Sequence, residues 1–498
     1  MIYADLCDVV TRAPATSGVR QGERFVPYTD VVEQAGRIAT GLIERGVARG
    51  TPVGLLMVNG PDLLILAYAV FAAGAIVVPL NAHAPRAELA ATARKAHVGA
   101  LIASLPYAEA ATHLIDDLAG PAGMPLFLSG GDTDNSVAAL ARSPLGRLPV
   151  LGEDDMALYM FSSGSTGIPK VVPHTHGEMM SDTQGARERH RNTPDDVLIN
   201  MMPGSHAMGF LTSTGMAAHG GSTLYWSDPQ PIMLSKARFA HAIAEQGVTH
   251  VVGVPFMFDA LASVKDDLDF SRLKRVQSAG VALRKDIFDR FQARFGIRLS
   301  QGYGSTECLS IAINEHGIND DFPWDTVGTQ PPRTTIEIAP ADNPFGPEYG
   351  EIVVSSPAIT KGYLDAPEVN KQTLRDGKFY TGDLGTLDRN GYVFVKGRTK
   401  LLIEVAGHKV DPFEIEEVLG THPAVAEAVV VGVPDPRTGE QRLKAVIIRA
   451  ADESPDALIR YCRERLASQK VPSLVEFRDE LPRSAAGKML RGKLMETV

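Results

Sequence analysis

Short apolar runs rich in β-formers, each closed by Gly, Pro or Asp, alternate with stretches of helical periodicity, and no other feature of this sequence restricts its fold as tightly. The runs fall at 52–57, 75–79, 100–103, 249–253 and 275–278, with helical patterns such as 28–45 and 237–246 between them. Strands separated by helices close most readily as parallel sheets with helices on their faces, so an α/β architecture with a large first part is expected. Residues 346–355 and 391–395 read instead as strands of a meander or small barrel. The 498 residues leave room for about three domain-sized units.

A boundary is expected near Gly397-Arg398-Thr399-Lys400, dividing the chain into 1–398 and 399–498. The second part carries strand and helix patterns at 414–419, 425–433, 444–448 and 456–468, a small α+β domain on a connector short enough to rotate rather than wander. Its basic cluster, Arg483, Lys488, Arg491 and Lys493, reads by itself as a solvated helix face.

Composition removes several classes. Lys and Arg number 49 against 59 Asp and Glu, a net charge of −10, so no general footprint for nucleic acid is expected. Cys7, Cys308 and Cys462 are too few and too scattered for a disulfide framework, which favours a reducing, cytoplasmic setting. The first residues lack a basic stretch followed by an apolar one, so no signal peptide is expected. The longest apolar run, 63–78, falls short of the ~20 residues that cross a bilayer and contains Gly74. It reads as a buried helix opened by Asn59-Gly60-Pro61 and running into a core strand, and no membrane anchor is expected.

Two loops carry chemistry. The first, Ser162-Ser163-Gly164-Ser165-Thr166-Gly167-Ile168-Pro169-Lys170, follows an apolar run at 157–161. Its glycines allow a tight turn that presents backbone N–H groups, its hydroxyls add donors and Lys170 adds a cation, a set suited to a polyphosphate. A Walker loop it is not, because the lysine does not lie between a glycine and Ser or Thr. The second is Gln301-Gly302-Tyr303-Gly304-Ser305-Thr306-Glu307. Glycines beside an aromatic ring leave room for a planar base, Thr306 offers a hydroxyl, and Glu307 is a hard oxygen ligand suited to Mg²⁺ bridging phosphate oxygens.

Together with these loops, the chain contains Pro203-Gly204-Ser205-His206-Ala207-Met208-Gly209, Tyr380-Thr381-Gly382-Asp383, Gly397-Arg398, the run Gly407-His408-Lys409-Val410-Asp411-Pro412-Phe413-Glu414-Ile415-Glu416, and Pro482-Arg483-Ser484-Ala485-Ala486-Gly487-Lys488. Seven segments in this order resemble the ANL superfamily of adenylate-forming enzymes, which includes acyl- and aryl-CoA synthetases, peptide-synthetase adenylation domains and luciferases. The resemblance spans nearly the whole chain. It implies a large N-terminal domain of two helix-wrapped β-sheets with a small β-barrel-like subdomain, followed by a small mobile C-terminal domain.

The resemblance also implies roles. Ser162 to Gly167, Thr166 among them, and Lys170 would embrace the phosphates of ATP, while Gly280, Val281 and Tyr303, with Gln301, Gly302, Gly304 and Ser305 around it, would form the adenine site. Thr306 would hold the α-phosphate, Glu307 the Mg²⁺, and Asp383 with Arg398 the ribose. His206, Met208, Gly209, Phe210, Gly280 and Gly302 would bound the acyl pocket, with His206 a wall rather than a base. Lys488 would bring a cation to the carboxylate and α-phosphate, Lys400 would be the hinge, and Gly407, His408 and Lys409 would line the tunnel for the thiol of coenzyme A. A carboxylate and a triphosphate repel one another, so such catalysis consists of positioning and charge neutralisation, with no protein nucleophile.

Two departures stand out. Val171 follows Lys170 where relatives usually carry glycine. The stretch 208–212 and Met216 supplies no acid for an ammonium group, so an apolar acyl or aryl carboxylate is expected over an amino acid. His174, His176 and His219 read as structural. An AMP-forming acid–CoA ligase is the leading expectation. Loading of a carrier-protein phosphopantetheine is the alternative, and a homodimer is an expectation of the superfamily only.

Overall fold

A computed structural model describes residues 1–12, 16–118, 123–162, 170–226, 232–405, 408–435, 441–483 and 489–495, with backbone only for 232–235 and Lys400. It divides into two compact units, Met1–Thr335 with Val354–Phe379, and Ile336–Val353 with Tyr380–Val498.

The first unit holds the two expected sheets. One runs in the order Leu126–Ser129, Ala100–Ser104, Pro52–Leu56, Ile76–Leu80, Met156–Ser162, Lys170–Thr175. Its strands are parallel except the last, which turns back antiparallel with Lys170 opposite Ser162. Ile76–Leu80 is buried at every position, as a strand covered on both faces must be. The preceding helix, Pro61–Ala72, is buried everywhere except Asp62, so it is a core helix rather than an amphipathic one. Pro61 opens it, where the missing N–H costs no hydrogen bond.

The other sheet runs Leu309–Ala312, Ser300–Ser305, Arg275–Ala279, His250–Gly253, Val197–Asn200, Thr223–Trp226, Gly18–Gln21, Arg24–Pro27. Its centre is parallel, and both edges are antiparallel. Each sheet therefore ends in a hairpin at the carboxyl end of a parallel strand, which is where open α/β sheets bind ligands. Ser162 and Lys170 close one hairpin, and Ser305 and Leu309 close the other. The second loop, Gln301–Ser305, is thus largely strand, and only its last residues turn.

In the second unit, Val425–Pro434 pairs antiparallel with Gln441–Arg449, and Leu474–Phe477 adds in parallel. Helices Pro412–Gly420 and Pro455–Arg463 seal a core of Val410, Ile415, Leu419, Val430, Ile447 and Leu458. The helical pattern at 456–468 stops at Arg463, and a 3₁₀ turn at Ser468–Lys470 follows once Ala467 becomes extended. Most of a five-stranded sheet also belongs here; in hydrogen-bonding order its strands form an open, branched sheet rather than a closed barrel. One member of the basic C-terminal cluster is largely buried instead of standing on a solvated helix face. Arg491 is bidentate to Glu416, donates to the carbonyl of Val430 at 2.7 Å and lies over the ring of Phe413, its side chain 15% exposed. The three cysteines are free. Among the described residues no helix is long and apolar enough to cross a membrane.

Candidate active site

The two hairpins are bound to each other and to a third segment. His174, on the strand leaving Lys170, places Nε2 2.7 Å from the carbonyl oxygen of Thr306. The peptide after Glu307 is fixed as well, because Thr360 N–H donates to the Glu307 carbonyl at 2.9 Å while the Thr360 hydroxyl donates to Pro173 O. Glu307 itself is 9% exposed, and its carboxylate accepts from the hydroxyl of Tyr363 at 2.7 Å. The ring of Tyr363 also lies 5.0 Å beneath the ammonium of Lys170. One tyrosine therefore spans the end of the expected phosphate loop and the expected metal ligand. Residues 163–169, which include Ser163, Gly164, Ser165, Thr166 and Gly167, lie outside the described residues.

The other members of the second loop divide by role. Gln301 has both ends of its amide engaged, accepting from Leu283 N and donating to Trp324 O, so its side chain serves the scaffold. Ser305 accepts from Cys308 N and caps the turn. The hydroxyl of Thr306 makes no hydrogen bond within the described residues. Val281 is 44% exposed.

Pro203–Gly209 folds back on itself. His206 N–H donates to Pro203 O, and Phe210 N–H donates to His206 O. His206 Nδ1 accepts from Met208 N as the cap of the short helix Ala207–Leu211. A Cβ at Gly209 would meet Pro203 O at 2.2 Å, so only glycine permits this closure. Phe210 packs edge-on against Phe71 in the core. A π-turn, Thr212–Ala218, continues the helix, a rare geometry that recurs at functional sites. Met208 and Val254 converge on the position where a Gly280 side chain would stand, at 3.9 and 3.7 Å. At Gly302 a Cβ would come within 2.9 Å of Nε2 of Gln277 and 3.8 Å of the Ala279 methyl. Gln277, 8% exposed and with a side-chain amide that makes no hydrogen bond among the described residues, was not singled out by sequence, because a lone glutamine in a strand has no local signature.

Within the second unit Arg398 donates to Asp383 at 2.5 Å, and Asp383 is 3% exposed. Their strands face one another in register, while Thr381 and Thr399 tie the bend at Gly382. His408 and Lys409 line a polar cavity of about 530 Å³ with Asp342, Glu404 and Lys470. There Lys409 pairs with Asp342 at 2.8 Å, and Lys470 pairs with Glu414. Asp411, capping Pro412–Gly420, has its carboxyl pushed up to about 6 by burial and by the neighbouring Glu416 and Glu414. Gly407 and Lys488 lie outside the described residues, as does the side chain of Lys400.

Among the described residues no cluster of three or more His, Cys, Asp or Glu could hold a metal by itself. Glu307 alone suits Mg²⁺ of the kind that takes one carboxylate and completes its shell with phosphate oxygens and water. The residues fit that ion only as the companion of a polyphosphate.

Paired α/β sheets whose edge hairpins present these loops, followed by a small α+β unit, define the class of ANL adenylate-forming enzymes. The chain belongs to the AMP-binding enzyme family, whose model matches residues 8–364, with the AMP-binding enzyme C-terminal domain matching 414–488. A feruloyl-CoA synthase of Amycolatopsis sp. is 33% identical over 97% of this chain and 96% of its own. Among solved structures, ATP-bound MatB from Rhodopseudomonas palustris superposes with a TM-score of 0.88 at 26% identity, covering 99% of this chain and 98% of that one. A benzoate CoA ligase from Burkholderia xenovorans LB400 gives 0.85 at 26% identity, with 99% of each chain covered.

Proposed function

We propose that this enzyme is an AMP-forming carboxylate–CoA ligase that activates an acid with an apolar, aryl-type body. In the first half-reaction a carboxylate oxygen attacks the α-phosphorus of ATP, forming an acyl-adenylate and expelling pyrophosphate. In the second, the thiolate of coenzyme A attacks the acyl carbon and AMP leaves. No protein atom is covalently modified, so the protein's task is to hold and neutralise.

The observation that carries this reading is the contact series Lys170–Tyr363–Glu307. It sets a cation over the ring and a carboxylate at the hydroxyl of one buried tyrosine, between the hydroxyl-rich loop and the loop of Thr306. Bound at Glu307, Mg²⁺ would neutralise phosphate charge. Thr306 is assigned to the α-phosphate, Asp383 and Arg398 to the ribose. Lys488 is assigned to the reacting carboxylate and α-phosphate during adenylation. It must withdraw before sulfur reaches the same carbon, so rotation about Lys400 and arrival of Gly407, His408 and Lys409 belong to the same proposal.

The acid's character follows from Met208, Val254 and Gly280, which are apolar, and from the absence of an acidic side chain in 207–218 to receive an ammonium group. Likeness over full length to CoA-forming relatives of aryl acids supports the same class. The test is pyrophosphate release across benzoates, cinnamates and fatty acids, with and without CoA. Release with aryl acids and CoA-dependent thioester formation are expected. Turnover only with a holo carrier protein would replace CoA as the acceptor, and no release with any acid would reject the reading.

A further inference from the structure

His174 is completely buried, yet both of its ring nitrogens have partners. Nε2 faces the carbonyl oxygen of Thr306 at 2.7 Å, and because a carbonyl only accepts, Nε2 carries a hydrogen. Nδ1 faces Oε2 of Glu178 at 3.2 Å. That oxygen also accepts from Thr175 N–H at 3.1 Å, closing the capping box of the helix His176–His190. Glu178 is 6% exposed, so the imidazole and the carboxyl meet in a buried site.

The neighbouring His176 makes the contrast. It is equally buried, neither of its nitrogens has a hydrogen-bond partner among the described residues, and burial lowers its pKa to about 4. This fold tolerates a neutral, unpartnered histidine two residues away, so the double engagement of His174 is not a requirement of burial.

What His174 grips is the peptide between Thr306 and Glu307. A peptide unit is planar, so fixing its carbonyl fixes ψ of Thr306 and φ of Glu307, and with them the directions of both side chains. The following peptide is gripped by Thr360 N–H. We propose that His174, oriented by Glu178, is a positioning residue for nucleotide activation: it locks the edge hairpin of one sheet to that of the other, so that the Thr306 hydroxyl and the Glu307 carboxylate meet the nucleotide already aligned. The assignment rests on the adenylation reading above but predicts nucleotide affinity independently of turnover.

Three variants test it. His174→Leu removes the grip. His174→Gln can return an N–H donor to the place of Nε2. Glu178→Gln places a single amide atom where Oε2 serves both Nδ1 and Thr175 N–H, so it keeps one of those two bonds and loses the other. Binding of ATP with Mg²⁺ is measured by calorimetry without any acid, and pyrophosphate release is measured with a good acid substrate. For His174→Leu, ATP affinity is expected to fall by about tenfold or more and kcat by about 10- to 100-fold, with KM for the acid within about twofold. His174→Gln should remain within about fivefold of the parent in both measurements, and Glu178→Gln should fall between His174→Gln and His174→Leu. Leu and Gln variants that are equally damaged, with parallel loss of thermal stability, would show a core role only and overturn the proposal, as would a Leu variant that binds and turns over normally. If the parent enzyme releases no pyrophosphate with any acid, the adenylation reading fails, and the calorimetric comparison of Leu with Gln still decides the role of His174.

Discussion

The hydroxyl of Tyr363 donates to the carboxylate of Glu307 while the ring beneath it receives the ammonium of Lys170, so two groups of opposite charge from loops far apart in sequence are aligned by one side chain. Tyr363→Phe keeps the ring and its cation contact but leaves a carboxylate, 9% exposed, without its donor. A hydrogen bond to a charged group is worth about 1.5–3 kcal/mol, so kcat/KM for ATP should fall about 10- to 100-fold. The Mg²⁺ concentration needed for half-maximal pyrophosphate release should shift with it. An unaltered Mg²⁺ dependence would remove Tyr363 from the metal's neighbourhood.

How far the sequence could be read follows from the range of each signal. The hairpin loops, the strand at 76–80 and the buried helix after Pro61 are written locally, in Gly and Pro punctuation and in apolar runs. Tyr363 meets Glu307 across 56 positions, and His174 meets Thr306 across 132, so no local pattern announces either pairing. Gln277 is seen only once Gly302 on the adjacent strand leaves space for its amide. Arg491 shows the opposite error: by composition it is one more surface charge, and only the fold supplies Glu416, 75 positions away.

That pair yields the second prediction. The side chains of Arg491 and Glu416 are 15% and 13% exposed, and burial already raises the pKa of Glu416 against the opposing pull of Arg491. Arg491→Ala strands the carboxylate, and breaking a buried pair by removing one partner costs about 3–5 kcal/mol. A solvated charge would cost almost nothing. Both tryptophans, Trp226 and Trp324, lie in the first unit. A circular-dichroism transition that moves down in the variant while the tryptophan fluorescence transition stays in place is the expected result.

Gly302→Ala tests the acyl pocket. The new methyl would press on the Gln277 amide at 2.9 Å, a contact relieved only by moving that side chain. Acids that reach this wall should lose about 1–3 kcal/mol of transition-state binding, and shorter acids should lose little. With KM for ATP unchanged, the ratio of kcat/KM between a cinnamate and a benzoate is the measurement. An equal loss for both, or a loss confined to ATP, would place Gly302 elsewhere.

Lys488→Ala separates the half-reactions. If this lysine neutralises charge only while the adenylate forms, its removal should cost about 3–4 kcal/mol in that step, by comparison with a deleted oxyanion donor. Thioester formation from a synthetic acyl-adenylate should stay within about threefold of the parent. Single-turnover assays of each step decide it, and equal damage to both would end the two-state assignment.

Asp411 makes the stability of the second unit depend on pH with a definite sign. Its folded carboxyl titrates at about 6 against an ordinary 3.8, because burial and the charges of Glu416 and Glu414 penalise the ionised form. The protonated group's stabilising contribution is therefore complete below 3.8 and is lost as pH rises through about 6, a cost of up to about 3 kcal/mol at neutral pH. Asn is as good a helix cap as Asp and carries no charge, so Asp411→Asn keeps the bond from Phe413 N–H while abolishing the penalty. The variant's advantage in the second unit's transition should be small below about pH 3.8 and should grow to a plateau above about pH 6.5. An advantage that is constant with pH would mean that the substitution acts through packing, and a disadvantage at neutral pH would mean that the carboxylate is held by a partner stronger than Phe413 N–H.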